Sequence, residues 1–189
     1  AHPLASNFLL QFAFNGYGAG NGTRITPTET YTTGSDALLR SAAATANYGS
    51  AATADLTRVA TQESRFVLRF DNQLALGDPT IATATLRLNA NSSGTGNRPA
   101  RVCRLIEDWT EGTGGSGGST AGNASWARRT GTTNWATAGA SFDATNCVTF
   151  NLNYRGNTDV NITPIFQQWA AGKPDFGVVV MATTNASQA

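Results

Sequence analysis

The sequence predicts an all-β protein, a jelly-roll-like antiparallel β-sandwich with one short amphipathic helix. Short segments of alternating apolar and polar residues recur along the chain, with Gly-rich turn signals between them. In "SRFVLRF", Phe66, Leu68 and Phe70 share one face because successive side chains of a strand point to opposite sides. Many short strands separated by such turns are typical of sandwiches and jelly rolls.

Strand patterns are distributed along the whole chain, and one segment has a helical pattern. The predicted strands, in chain order, are "SNFLLQFAF", "DALLRS", "DLTRVA", "SRFVLRF", "ATATLRLNA", "RVCRLI", "CVTFNL" and "FGVVVMAT". In "VNITPIFQQWAAGKP" the apolar residues fall at helical spacing: Ile162, Ile165, Phe166 and Trp169. Thr163 is positioned to cap this helix, Pro164 suits its first turn, and Gly172 is expected to end it.

The apolar positions of these elements predict a single central core. Its expected members are Phe66, Leu68, Phe70, Leu86, Leu88, Val148, Phe150, Ile165, Phe166 and Trp169. A shift of one residue in the register of any strand would move its whole apolar set to the opposite face.

The first predicted strand is set apart from the others by its apolar content and by the Gly-rich segment that follows it. Four large apolar residues alternate along it: Phe8, Leu10, Phe12 and Phe14. The glycines of "NGYGAGNGT" indicate a flexible connection. We therefore divide the chain into an N-terminal arm, residues 1–30, and a sandwich, residues 31–189. An apolar strand must pair with a sheet, in its own chain or in another molecule, because unpaired strand edges attract other strands.

Charge and hydropathy exclude several classes of partner. Charged residues make up 13% of the chain, against roughly a quarter in typical soluble proteins, so the surface is expected to be polar but uncharged. The net charge is +1 and the cationic residues are scattered, so nothing indicates a nucleic-acid partner. No apolar segment is long enough to span a membrane. The first residues lack the features of a signal peptide, and we expect a mature N-terminus.

Cysteines and glycosylation acceptors favour a secreted or cell-surface protein. Cys103 and Cys147 lie in strand-like segments without metal-ligand spacing. A disulfide is the simplest interpretation, and two separate buried thiols are the alternative. The candidate acceptors for N-glycans are Asn21, Asn91, Asn123, Asn161 and Asn185. Disulfides and N-glycans are both typical of extracellular proteins.

Residue types that support catalysis are sparse, and we predict that the protein is not an enzyme. His2 lies next to the N-terminal end, where a preorganised general base is not expected. A tryptophan lies among three acids, Glu107, Asp108 and Glu111. A pair of acids beside an aromatic residue is typical of glycosidases, but we interpret these as solvated turn residues. The glycine run at 112–118 lacks the Lys-Ser/Thr that a phosphate-binding loop requires.

Two residues are candidates for ligand contacts. Trp135 lies in the polar segment "GTTNWATAG" and is the best candidate for an exposed ring that stacks on a sugar; its alternative is a core residue. Asp36, near the first strand of the sandwich, could join backbone carbonyls around a calcium ion, although no cofactor is required.

The order of several motifs resembles that of the DNRLRE family. The motifs span roughly residues 31–184 and are "LLRSAAATANYGSAATADLTRV", "RFVLRFD", "TIATATLRLNA", "DWTEGTGGSGG", "ASWARR" and "DVNITPIFQQWAAGKPDFGVVVMATT". The family comprises secreted β-sandwich domains classed among the carbohydrate-binding modules. The resemblance therefore implies an extracellular jelly roll used for binding or structure. Family members usually have one more strand after the last motif, whereas this chain has an additional strand at its start.

The combination of an extra first strand and a missing last strand predicts a polymer. We expect the N-terminal strand to insert into the next subunit beside "FGVVVMAT", with Phe8, Leu10, Phe12 and Phe14 as anchors, so that subunits form a head-to-tail filament or pilus-like fibre. The competing arrangement is that the strand pairs within its own chain. The alternative function is a carbohydrate-binding or adhesin module of the cell surface, with a polysaccharide as its partner.

Overall fold

The structure is a computed structural model that describes residues 8–14, 16–17, 24–25, 28–32, 34–59, 61–70, 81–91, 96–115 and 123–184. Within these ranges the chain forms twelve β-strands, one short 3₁₀ helix (Ser41–Ala43) and one α-helix, α1 (Thr163–Ala170). The strands are β1 (Phe8–Phe14), β2 (Gly16–Tyr17), β3 (Arg24–Ile25), β4 (Thr28–Thr32), β5 (Ser35–Arg40), β6 (Arg58–Val59), β7 (Gln62–Arg69), β8 (Ile81–Asn91), β9 (Asn97–Arg104), β10 (Val148–Asn153), β11 (Arg155–Asn161) and β12 (Val178–Ala182).

Two antiparallel sheets form a sandwich. The four-stranded sheet has the order β11-β8-β1-β4, and the larger sheet has the order β10-β9-β12-β7-β5, with β6 also paired to β7. Strands β2 and β3 form a separate two-stranded ladder. Residues from both large sheets and from α1 share one buried cluster, because the alternation of each strand places its apolar face toward the other sheet. The predicted all-β sandwich with one short helix is confirmed.

The predicted central core is confirmed in its register. Eight of its members are buried in one cluster: Phe66, Leu68, Phe70, Leu86, Leu88, Ile165, Phe166 and Trp169. Val148 and Phe150 pack against that cluster but are only partly buried, because they lie on β10, which ends the order of the larger sheet.

Helix α1 forms where predicted but begins at Thr163, one residue before the expected Pro164, and the predicted cap is wrong. Thr163 Oγ1 accepts a hydrogen bond from the Ala84 N–H at 2.9 Å, so this hydroxyl ties the helix to β8 and does not cap it. The side chain of Asn161 accepts the Thr163 N–H instead, at 3.0 Å. Gly172 ends the helix with a φ of 88°, a conformation that favours glycine. Among the described residues, no helix has the length and apolarity needed to cross a membrane.

The centre of the larger sheet is buried on both faces. Its outer face, which includes Val67, Cys103 and Val179, packs against residues 105–147, here named the covering segment. This segment contributes Trp109 and Trp135 to a second buried cluster, although most of its described residues lack regular secondary structure. The Cys103–Cys147 disulfide closes the segment at its base and confirms the predicted pairing.

Asn47 lies in the turn after the 3₁₀ helix and attaches the covering segment to that turn. This side chain is fully buried. Its Nδ2 donates to the carbonyls of Glu111 at 2.6 Å and Ala124 at 2.8 Å, while its Oδ1 accepts the Gly114 N–H at 2.8 Å. A Cβ on Gly114 would lie 2.0 Å from the Asn47 carbonyl oxygen, so only glycine permits this approach. The motifs "NYG" and "DWTEGTG" therefore contact each other in the folded chain.

Three predictions about strand extent and boundaries are wrong. "DLTRVA" contains only β6, which has two residues. Four strands, β2, β3, β4 and β11, were not predicted, because none of these segments has an alternating run of large apolar residues. The boundary placed after residue 30 falls inside β4, which belongs to the sandwich through the four-stranded sheet.

Candidate functional site

Strand β1 lies in the interior of the four-stranded sheet of its own chain. It pairs antiparallel with β8 along one side and with β4 along the other. Both rows of its backbone hydrogen-bonding groups are therefore used, which is the arrangement of a central strand. The alternative in which the N-terminal strand pairs within its own chain is the arrangement of this structure.

The register of β1 places its anchor residues opposite the core residues of β8. Phe8 is paired with Leu88, Leu10 with Leu86, and Phe12 with Ala84. These three residues of β8 are at most 2% exposed. Directly opposed residues of an antiparallel pair lie on the same face of the sheet. The backbone of β1 therefore holds three anchor positions in register with core residues of β8.

Phe14 departs from the regular alternation of the other anchors. It is paired with Ile81, whereas Ala13 is paired with Thr83, so the register shifts by one residue between Ala13 and Phe14. A bulge of this kind interrupts the alternation of faces. The sequence pattern alone did not indicate the shift.

The predicted insertion position beside "FGVVVMAT" is wrong. That segment contains β12, which lies between β7 and β9 and is paired with both. All five residues of β12 are buried, because the central core covers one face and the covering segment covers the other. β12 therefore has no open edge for another strand, and β1 lies instead in the opposite sheet.

On β8 and β11, the outward face of the four-stranded sheet carries paired polar side chains. The guanidinium of Arg87 on β8 donates two hydrogen bonds, of 2.7 and 2.8 Å, to the two carboxylate oxygens of Asp159 on β11. This contact lowers the pKa of the Asp159 carboxyl. Asn89 Nδ2 donates to the side-chain oxygen of Asn157 at 2.8 Å in the same pair of strands. These cross-strand pairs hold β11 against β8 and leave the other side of β8 to β1.

A cavity of about 340 Å³ opens at one end of the sandwich. It is bounded by residues 52–57, by the last residues of β8, by Arg98 and by the turn at Tyr154. Its lining combines apolar side chains with the amides of three asparagines: Asn89, Asn91 and Asn153. Nη1 of Arg98 is shielded from solvent and has no hydrogen-bond partner among the described residues. No sequence pattern indicated this cavity, because its residues come from five separate segments.

Trp135 is not the exposed ring that its polar neighbours predict. It is 4% exposed, and its Nε1 donates to the Ser125 carbonyl at 2.9 Å. The ring is buried because the covering segment folds its tryptophans onto the outer face of the larger sheet. A sugar contact at Trp135 is therefore excluded.

Asp36 is buried on β5, at 1% exposure. Its backbone N–H donates to Glu111 Oε1 at 3.2 Å, so it contributes to the attachment of the covering segment. In the part of the chain that the structure describes, no three His, Cys, Asp or Glu side chains come together as metal ligands would. A calcium ion at Asp36 stays a prediction.

The acidic residues around Trp109 bind other parts of the fold. Asp108 accepts from Arg69 Nη1 at 2.9 Å. Glu107 accepts the Ala136 N–H at 2.9 Å and lies 3.6 Å from Arg129. Each carboxylate therefore has a structural contact. The Asp108 side chain is 61% exposed and is solvated as predicted, whereas Glu107 is half-buried. No pair of them faces the cavity.

The glycosylation candidates differ in exposure. Asn91, at the end of β8, and Asn161, at the end of β11, are exposed, and Asn123 is half-buried. Asn21 and Asn185 lie outside the described residues, as does His2. Glycans at these acceptors stay predictions.

A scan against protein-family models, a search of curated proteins and a search of solved structures found no match to this chain.

Proposed function

We propose that the protein is an extracellular structural subunit that polymerises into a filament by donating β1 to the next copy. The observation that carries the proposal is the position of β1, an interior strand that belongs to the N-terminal arm. The space between β8 and β4 that β1 fills is here named the acceptor groove. It replaces the position beside β12 as the place of insertion.

An empty acceptor groove would be unstable, so a strand must fill it. Without β1, the sides of β8 and β4 that face it lose their ladder partners, and Leu86 and Leu88 lose the cover of a strand. Burial of one large apolar side chain stabilises a fold by about 1.5 to 3 kcal/mol, so three anchors in register with the core residues of β8 correspond to about 5 to 9 kcal/mol before ordering costs. The same residues of a second copy can supply this energy in the same register.

The connection between β1 and β4 has the composition expected of a hinge. Residues 15–27 include Gly16, Gly18, Gly20 and Gly22. Once the short β2–β3 ladder opens, an extended segment of this length reaches about 40 Å, which is enough to carry β1 to a neighbouring molecule. Opening of the β1–β4 hairpin gives a head-to-tail contact, and such contacts form a filament unless they close into a ring. Exchange of β1 between copies keeps the same hydrogen-bond ladder. The protein concentration and the conformation of the hinge therefore decide whether the monomer or the filament forms.

Cross-linking across the acceptor groove tests the proposal. Gln11 and Thr85 are directly opposed in the β1–β8 ladder, so Gln11→Cys and Thr85→Cys place two thiols within disulfide distance. In strand-exchanged filaments, oxidation of the double variant is expected to give a ladder of covalent multimers on non-reducing gels. A mixture of the two single variants is expected to give a covalent heterodimer. Negative-stain microscopy of the same samples shows whether filaments are present.

A matched control uses Gln11→Cys with Asn151→Cys. Asn151 is exposed on β10, in the other sheet, so this pair should not give the multimer ladder. If the Gln11→Cys, Thr85→Cys variant becomes internally cross-linked and stays monomeric at high concentration, β1 pairs only within its own chain and the filament does not exist.

A second candidate function, a carbohydrate-binding or adhesin module, is favoured by the cavity. Asparagine amides and an arginine are suitable donors for sugar hydroxyls, and apolar side chains and Tyr154 can cover the face of a sugar ring. Its volume lies at the lower end of the range for small-molecule sites, about 300 to 1,000 Å³. Titration with a panel of labelled oligosaccharides tests this function. Arg98→Gln should weaken binding, whereas Arg101→Gln, outside the cavity on the same strand, should not; equal effects or no binding would exclude the cavity as a sugar site.

A further inference from the structure

The edge strands of the two sheets differ in how they are protected against pairing with other chains. Three of them contain a charged residue: Asp159 in β11, Glu29 in β4 and Asp36 in β5. β10, with the sequence "VTFNLN", contains neither charge nor proline. Within the described residues its one ladder partner is β9. Natural edge strands usually carry charge or proline because an unprotected edge recruits further strands.

Burial of the apolar residues on β10 is incomplete. Val148, Phe150 and Leu152 pack against the central core but remain partly exposed. By contrast, Val102 on β9 and Val180 on β12 are fully buried in the same cluster. The difference follows from position, since a strand covers β9 on both sides but β10 on one. One more strand beside β10 would complete the burial.

The free part of β10 is complementary to itself. The Asn153 N–H donates to Thr158 Oγ1 at 3.0 Å, so the strand's last residue is already engaged. Antiparallel pairing of the remaining residues with a second copy places Val148 opposite Leu152 and Thr149 opposite Asn151, with Phe150 at the two-fold axis. This register puts apolar residues opposite apolar residues on the core face and neutral polar residues opposite each other on the outer face, so no charge opposes it.

We infer that β10 pairs antiparallel with β10 of a second copy of this chain. So short a ladder is smaller than a stable interface, which buries about 1,200 Å² or more, so a single contact is weak. Along two filaments the contact repeats, and the repeated contacts reinforce each other. β10 therefore joins filaments side by side into bundles. This consequence, unlike the pairing of two β10 strands, rests on the proposed filament.

Two variants with identical positions and opposite charge patterns test the pairing in the full-length protein. Thr149 and Asn151 are exposed, so charges there should not alter the fold. Thr149→Lys with Asn151→Lys opposes like charges twice in the inferred register, whereas Thr149→Lys with Asn151→Glu opposes unlike charges twice. Low-speed pelleting reports bundles, high-speed pelleting reports single filaments, and sedimentation equilibrium reports dimers. Thermal unfolding checks that both variants are folded.

The wild type and the Lys/Glu variant are expected to associate laterally, and the Lys/Lys variant about tenfold more weakly or not at all. Lys/Lys filaments that pellet only at high speed support both proposals. A wild type that forms reversible dimers without filaments, lost in the Lys/Lys variant, supports edge pairing and refutes polymerisation. Lateral association that is equal in the two variants, or absent from the wild type, overturns the inferred pairing whether or not filaments form.

Discussion

Replacement of Asn47 by alanine should detach the covering segment from the rest of the fold. The side chain donates two hydrogen bonds, to the carbonyls of Glu111 and Ala124, and accepts two, from the N–H groups of Gly49 and Gly114, at 2.6 to 3.3 Å. At about 0.5 to 1.5 kcal/mol for each hydrogen bond, Asn47→Ala should lower the free energy of unfolding by about 2 to 6 kcal/mol. That is a large part of the 5 to 15 kcal/mol that is typical of natural proteins.

Chemical denaturation followed by tryptophan fluorescence measures this change, because Trp109 and Trp135 are buried under the covering segment. Asn47→Asp is the sharper variant: it has nearly the same shape but turns a donor that faces two carbonyls into an acceptor. It should destabilise at least as strongly as Asn47→Ala, since a buried charge is then left against carbonyl oxygens. Asn89→Ala is the control, an exposed asparagine with one side-chain hydrogen bond to Asn157. The proposed role of Asn47 is refuted if Asn47→Asp is as stable as the wild type, or if Asn89→Ala costs as much as Asn47→Ala.

Three further predictions concern the core, the disulfide and pH. Leu86→Ala should lower the free energy of unfolding by about 2 to 5 kcal/mol and the neighbouring Thr85→Ala by much less in the same denaturation assay; equal losses would contradict the register of β8. Reduction of Cys103–Cys147, which are separated by 44 residues, should cost about 4 kcal/mol in the chain-entropy model, measured by unfolding with and without reductant; an unchanged midpoint would contradict it. Hydrogen bonds from Thr145, and more weakly from Asn146 and Arg104, hold the pKa of Asp143 at about 2, below the ordinary 3.8. Its folded-state pKa is depressed, so the stability that it contributes is present above pH 3.8 and is lost as the pH falls through about 2. Asp143→Asn should therefore differ from the wild type at neutral pH and converge with it near pH 2, whereas a constant difference would refute the assignment.

The sequence by itself determined which residues face inward. In β7 and β8 the alternation of large apolar residues predicted the buried face residue by residue, because the side-chain period of a strand is fixed by its backbone geometry. The helical spacing around Phe166 predicted α1 for the same reason. With two cysteines in the chain, one disulfide pairing was possible, and it is the one that forms.

Only the tertiary structure decided which strands are neighbours. A pattern of alternating residues specifies the faces of a strand but carries no information about the strands on either side, so β1 was expected beside β12 and lies beside β8. β11 was not predicted because its outward residues are polar and only Thr158 and Val160 are buried, which leaves no apolar period to detect.

The covering segment is the clearest case in which sequence patterns were insufficient. Most of its described residues lack regular secondary structure, so those that are buried follow no period, and Trp135 in polar surroundings was expected to be exposed. Its attachment depends on contacts between residues far apart in the chain, such as Asn47 with Gly114. Such contacts arise from the folded chain and not from local preference. Sequence therefore determined the faces of the strands, whereas long-range packing decided that the centre of the larger sheet is covered on both faces and that β1 fills the groove between β8 and β4.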